Sequence, residues 1–154
     1  EVGLSLAQET VAEKRNELQA IPEVLDSLDL SGAVISIDAM GTQTHIAEQI
    51  IRSEADYILS LKGNQKHLYE DVQDCFTGQY KTHSYETLEK NHGRIEKRTY
   101  TTLSASEVFD EGEYRQWQGL RSLVQVKREI SSLEGETRID KNIISAVYHR
   151  KTVR

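Results

Sequence analysis

The residues suited to chemistry are few. Asp38 closes the apolar run Val34-Ile35-Ser36-Ile37, and Gly41 follows it in a loop. Open α/β sheets bind ligands outside the carboxyl ends of their strands. A carboxylate there can reach a hard cation such as Mg²⁺, which takes oxygen ligands from one or two carboxylates and from substrate phosphates. Asp38 could instead cap the following helix. His92, Arg94 and Glu96 would share one face of a strand, because strand side chains alternate with period 2. The alternative there is an exposed β-ribbon with cross-strand charge pairs. Lys62 and Gln65 flank Gly63-Asn64 just past a second apolar run, at the sheet edge expected for Asp38. Lys62 could meet a phosphate, or be a surface lysine beside a capping Asn64. Lys97 and Arg98, with Arg115, Arg121, Lys127 and Arg128, could follow a DNA backbone or form an ordinary mixed-charge β surface. The five histidines lack zinc-finger spacing, and no P-loop, GxGxxG or GxSxG motif occurs.

The elements that must position these residues follow from apolar periodicity. Residues 18–28 place Leu18, Ile21, Val24, Leu25 and Leu28 on one helical face, with Pro22 tolerable in a first turn. Residues 33–38 and 56–61 are short apolar runs, as expected of strands buried on both faces. Between and after them, residues 43–54 and 65–76 read as amphipathic helices. Helix, strand, helix, strand, helix implies a layered α/β unit with parallel pairing. Residues 2–11 read as a frayed strand and 14–17 as a polar link. After Gly78 the pattern changes. Residues 83–90, 93–103, 120–130 and 137–147 read as strands, with a loop or short helix at 104–119 and a turn at 134–136. The expected division is an α/β core over 1–80, a β-rich region over 81–147 and a divergent tail at 148–154.

Composition bounds the function. The chain has 154 residues, 37% hydrophobic and 29% charged, with one proline. That size is one domain. No apolar run reaches the roughly 20 residues of a membrane helix, and no signal peptide is read at the start. The single cysteine, Cys75, excludes an intramolecular disulfide and a CxxC knuckle; a cytoplasmic location fits. The net charge of −6 argues against a uniformly DNA-binding surface. Yet residues 1–80 carry five Lys and Arg against fourteen Asp and Glu, whereas residues 81–154 carry fourteen against eleven. Any nucleic-acid surface should lean on the second half.

Four blocks carry a resemblance. They are Glu13-Lys14-Arg15-Asn16-Glu17 with Ala20-Ile21-Pro22-Glu23; Leu28 through Gln43; Ala55 through Gln65; and His92-Gly93-Arg94-Ile95-Glu96. In this order they resemble bacterial insertion-sequence DDE transposases of the H-repeat-associated group. The resemblance implies a partial RNase H-like core, a mixed sheet with flanking helices, followed by a β-rich insertion. It implies DNA cleavage and strand transfer at insertion-sequence ends, supported by Mg²⁺ or Mn²⁺ held by two Asp and one Glu. By position Asp38 matches the second of these three. The family's first Asp, in an Asp-Gly-Lys block, and its Glu, in a His-Trp-x-Ile-Glu-Asn block, have no counterpart here. Glu96 is the candidate stand-in for the glutamate. Lys62, Gln65, His92, Arg94, Lys97 and Arg98 are the candidate DNA contacts. The expectation is an internal or truncated fragment, inactive alone, binding metal weakly or not at all. The alternative is a catalytically dead remnant that binds DNA or self-associates, for example as a homodimer covering an open sheet edge.

Overall fold

A computed structural model of the chain describes residues 5–8, 17–91, 93–110, 112, 114–132 and 137–147. The first helix, α1, spans Glu17–Asp26. Pro22 therefore lies inside it rather than in its first turn, where it removes one intrahelical bond. The turn after α1 uses Gly32 at φ 75°, a conformation that costs glycine little. Strand β1 (Val34–Ile37), helix α2 (Thr44–Arg52) and strand β2 (Asp56–Leu61) form the expected strand–helix–strand unit. The two strands pair in parallel, with Ser36 opposite Ile58. A single 3₁₀ turn, Gly63–Gln65, leads into α3 (Lys66–Cys75).

The second half is antiparallel, as its Thr, Tyr and Val enrichment implies. Strands β3 (His83–Asn91) and β4 (Arg94–Ser104), a short α4 (Ala105–Val108), β5 (Ser122–Ser132) and β6 (Thr137–Val147) complete the order. All six strands join in one sheet, β1-β2-β6-β5-β4-β3. β6 returns to pair antiparallel with β2, with Ile58 opposite Ala146. The sheet thus runs unbroken across the expected boundary near residue 80.

The core lies against one face of this sheet. Tyr57, Leu59 and Leu61 of β2 are buried with Leu25 of α1, Ile46 and Ile50 of α2, and Leu68 and Val72 of α3. Leu103, Trp117 and Leu123 extend the same cluster under the second half. Each such side chain stabilises the fold by roughly 1.5–3 kcal/mol. Among the described residues, the opposite face of β1 and β2 is open. Val34 is 48% exposed and Ile58 36%. The expectation of strands buried on both faces is therefore corrected: β1 and β2 alternate, with one face in the core. β1 is also an edge strand. Residues 5–8 carry no regular structure, so the expected first strand is not formed there. The rest of that expected strand, most of the polar link, the turn at 134–136, His92 and the tail 148–154 lie outside the described residues.

Candidate active-site loop and basic sheet face

Asp38 is the first residue past β1, and its side chain is exposed. It does not cap α2. The residue before that helix is Gln43, which makes no side-chain capping bond. Instead one Asp38 carboxylate oxygen, Oδ1, accepts from the Met40 N–H at 3.1 Å and the Gly41 N–H at 3.3 Å. Among the described residues, this local turn leaves the second oxygen without a hydrogen bond. Gly41 makes the turn possible, because a Cβ there would meet Ile37 and would lie 2.8 Å from Ile21 Cδ1.

Two further segments hold the loop. Thr42, fully buried, places its hydroxyl 2.9 Å from the Asp38 carbonyl and 2.7 Å from the Ser60 carbonyl. The 3₁₀ turn after β2 supplies the rest. Asn64 donates to the Ala39 carbonyl. Gln65 Nε2 donates to the Thr42 carbonyl at 3.0 Å and to Gln43 Oε1 at 3.3 Å. Asp38, Lys62 and Gln65 thus meet at the carboxyl ends of β1 and β2, as the sequence predicts. Gln65 spends its amide on the loop, whereas Lys62 is exposed and makes no ion pair among the described residues. Thr42 carries no mark in the sequence, and Asn64, expected there as a helix cap, instead ties this turn to the Asp38 loop. Thr42 reads there as a residue near a helix start, and nothing local signals its burial.

Beside the loop, a cavity of about 420 Å³ opens between α1 and β1. Its wall is mainly apolar, including Ile21, Val24, Ile35 and Ile37, with Asp38 at its polar side.

Glu96 lies elsewhere. From the strand register it sits four strands from Asp38 and six residues further along β4. That places the two on the order of 25 Å apart. A two-metal centre holds its ions about 3.5–4 Å apart, so the structure does not bring Glu96 to Asp38. Instead Glu96 takes Arg128 at 2.6 Å and Arg98 at 2.5 Å. Hydrogen bonding from Arg128, and then from Arg98, holds its carboxyl below the ordinary glutamate range. This carboxylate separates two guanidiniums that face each other directly across β4 and β5, a pairing of like charges that is otherwise unfavourable. Lys97, on the opposite face, pairs with Glu86 at 2.8 Å, and Lys127 with Glu129 at 2.9 Å. Arg94 shares the Glu96 face and makes no ion pair among the described residues. It lines a cavity of about 570 Å³ with Ile130, Ser132, Thr137 and Arg138.

The sequence model of the family described as "Transposase DDE domain" matches residues 1–139. The chain belongs to this family. Among relatives of this transposase domain, the "Uncharacterized protein in dhlA 3'region" of Xanthobacter autotrophicus is 41% identical over 82% of the chain and 43% of that protein. The "Putative transposase YncI" of Escherichia coli O157:H7 is 39% identical over 88% of the chain and 37% of that protein. The "H repeat-associated putative transposase YhhI" of Escherichia coli K12 is 36% identical over 78% and 32%, respectively. The chain therefore spans less than half the length of these relatives. No solved structure matches it significantly. Families of this kind use divalent metal ions, and an exposed Asp38 with one oxygen unengaged among the described residues fits a single oxygen ligand of such an ion. No group of three or more His, Cys, Asp or Glu able to hold a metal occurs among the described residues. The fit is therefore to one corner of a site.

Proposed function

We propose that this chain is the portion of a DDE transposase that carries the second carboxylate of the metal site, Asp38. The parent protein would cleave and join DNA at insertion-sequence ends using Mg²⁺ or Mn²⁺. The observation that carries this reading is the placement of Asp38. It directly follows a strand of a family-matched domain, with its loop pinned from the neighbouring strand and one oxygen without a hydrogen bond among the described residues. When bound, the metal would polarise phosphodiester oxygens and activate the attacking group. Asp38 would hold it, and Lys62 at the same sheet edge would meet a substrate phosphate.

Under this reading β1 and β2 belong to an RNase H-like core, and the long strands β3 to β6 are the β-rich insertion grown from its edge. The DNA contacts then divide. Lys62 and Arg94, which make no ion pair among the described residues, would meet phosphates, whereas Arg98 and Lys97 are held by Glu96 and Glu86. Glu96 serves as the anchor of two arginines rather than as the missing glutamate. No described helix is long and apolar enough to cross a membrane, and we place the DNA chemistry in the bacterial cytoplasm.

A second reading is a remnant that binds DNA or self-associates without cutting it. The engagement of Glu96 by Arg98 and Arg128, four strands from Asp38, favours it for the isolated chain. One experiment separates the two. Labelled DNA is incubated with Mg²⁺ or Mn²⁺ and either the isolated chain or the full-length parent, each with an Asp38→Asn control. The transposase reading expects no nicking by the chain, and nicking by the parent that Asp38→Asn abolishes. A parent whose nicking survives Asp38→Asn would sink the role of Asp38.

A further inference from the structure

We infer that Thr42 is the positioning residue of the Asp38 carboxylate, its buried hydroxyl locking the carboxyl ends of β1 and β2 into one rigid unit; this rests on Asp38 being a metal ligand. Thr42 is the one buried polar residue recorded among the described residues. Its hydroxyl carries a single proton, yet two carbonyls lie within bonding distance, Ser60 at 2.7 Å and Asp38 at 2.9 Å. The proton is shared between them. One carbonyl is on β2 and the other belongs to Asp38 itself.

The backbone of Thr42 completes the lock. Its carbonyl accepts from Gln65 at 3.0 Å, and its N–H reaches the Ala39 carbonyl at 3.3 Å. The loop from Asp38 to Gln43 is thereby tied to β2 through Ser60 and to the following turn through Gln65. A functional carboxylate must be held within about 0.5 Å of its working position, which its own strand end does not secure. β1 is only four residues long and lies at the sheet edge. Thr42 supplies the missing restraint from the better-buried neighbour. Replacement by Val keeps the shape and removes only the hydroxyl. Replacement by Ser keeps the hydroxyl and removes a methyl.

The test uses the 154-residue chain and Mn²⁺ alone. Paramagnetic broadening of backbone amide NMR signals is followed as Mn²⁺ is added to wild type, Asp38→Asn, Thr42→Val, Thr42→Ser and Gln65→Met. Wild type should show broadening concentrated at Met40 and Gly41. Asp38→Asn should lose it. Thr42→Val should need about tenfold more Mn²⁺ for the same effect, and Thr42→Ser should stay close to wild type. Thermal melts report whether each variant folds. Should Thr42→Val fail to fold, Gln65→Met, which leaves the apolar core intact, must show the same weakening for the inference to stand. Wild-type Mn²⁺ response in a folded Thr42→Val, or equal weakness of Thr42→Ser and Thr42→Val, overturns the positioning role and leaves Asp38 a ligand. Broadening that persists in Asp38→Asn overturns the reading beneath it.

Discussion

Glu96 on β4 takes Arg128 of β5 at 2.6 Å, and its other oxygen takes Arg98 of its own strand at 2.5 Å. Both contacts favour the ionised carboxylate, so its folded-state pKa lies below its unfolded value. The stability this contributes is full above the unfolded pKa of about 4.3. It is lost as pH falls through the lower, folded value. Glu96→Gln should therefore melt below wild type at pH 7, and the gap between the two melting temperatures should close in strong acid. A gap that stays constant down to pH 2 would contradict the ion-pair account.

The turn over Ile37 and Ile21 demands a residue without a Cβ at position 41. Gly41→Ala should destabilise the chain by about 1–3 kcal/mol, as overpacking does. Urea denaturation measures this directly, and an unchanged midpoint would mean that the loop relaxes freely.

Asp38 has a structural task in its turn, separate from the metal-binding role proposed above, and two substitutions isolate it. Asp38→Asn retains an oxygen that can accept from the Met40 and Gly41 N–H groups, so thermal stability should hardly change. Asp38→Ala removes that acceptor and should cost about 1 kcal/mol. Equal melting of all three proteins would show that the turn does not need the side chain.

Adjacent residues on β2 should behave in opposite ways. Leu59 is fully buried, and Ile58 is 36% exposed. Leu59→Ala should cost about 2–5 kcal/mol, whereas Ile58→Ala should cost under about 1.5 kcal/mol. Similar losses at both positions would mean that the second face of the sheet is also covered in solution.

If the chain binds DNA through Lys62 and Arg94, affinity should fall with salt. Lys62→Gln and Arg94→Gln should each reduce the slope of log K against log salt by about 1. Arg98→Gln should chiefly lower the melting temperature, because that guanidinium is already committed to Glu96. Equal changes in salt slope for all three variants would show that the Glu96 pair opens on binding.

The order of elements is written in local patterns. Ile46, Ala47 and Ile50 mark α2 by helical spacing, Asp56 to Leu61 mark β2, and Gly63-Asn64 ends it, all through interactions among near neighbours in the chain. For the same reason Asp38, Lys62 and Gln65 could be placed at one sheet edge: consecutive parallel strands joined by a helix end on the same side. What the sequence could not determine depends on partners far along the chain. An apolar run such as Val34–Ile37 looks the same whether one face or two are covered, and only the packed helices show that Val34 and Ile58 stay open. The return of β6 to β2, which fuses two apparent halves into one sheet, is a long-range pairing with no local signature. Glu96 looked like a possible metal ligand beside Arg94. Register put Arg128 opposite Arg98 and gave the carboxylate two guanidiniums to hold. The position of Asp38 was legible because a strand end is set by the local apolar run before it. Thr42 was not, because its role arises from burial between two strand ends that only the tertiary structure brings together.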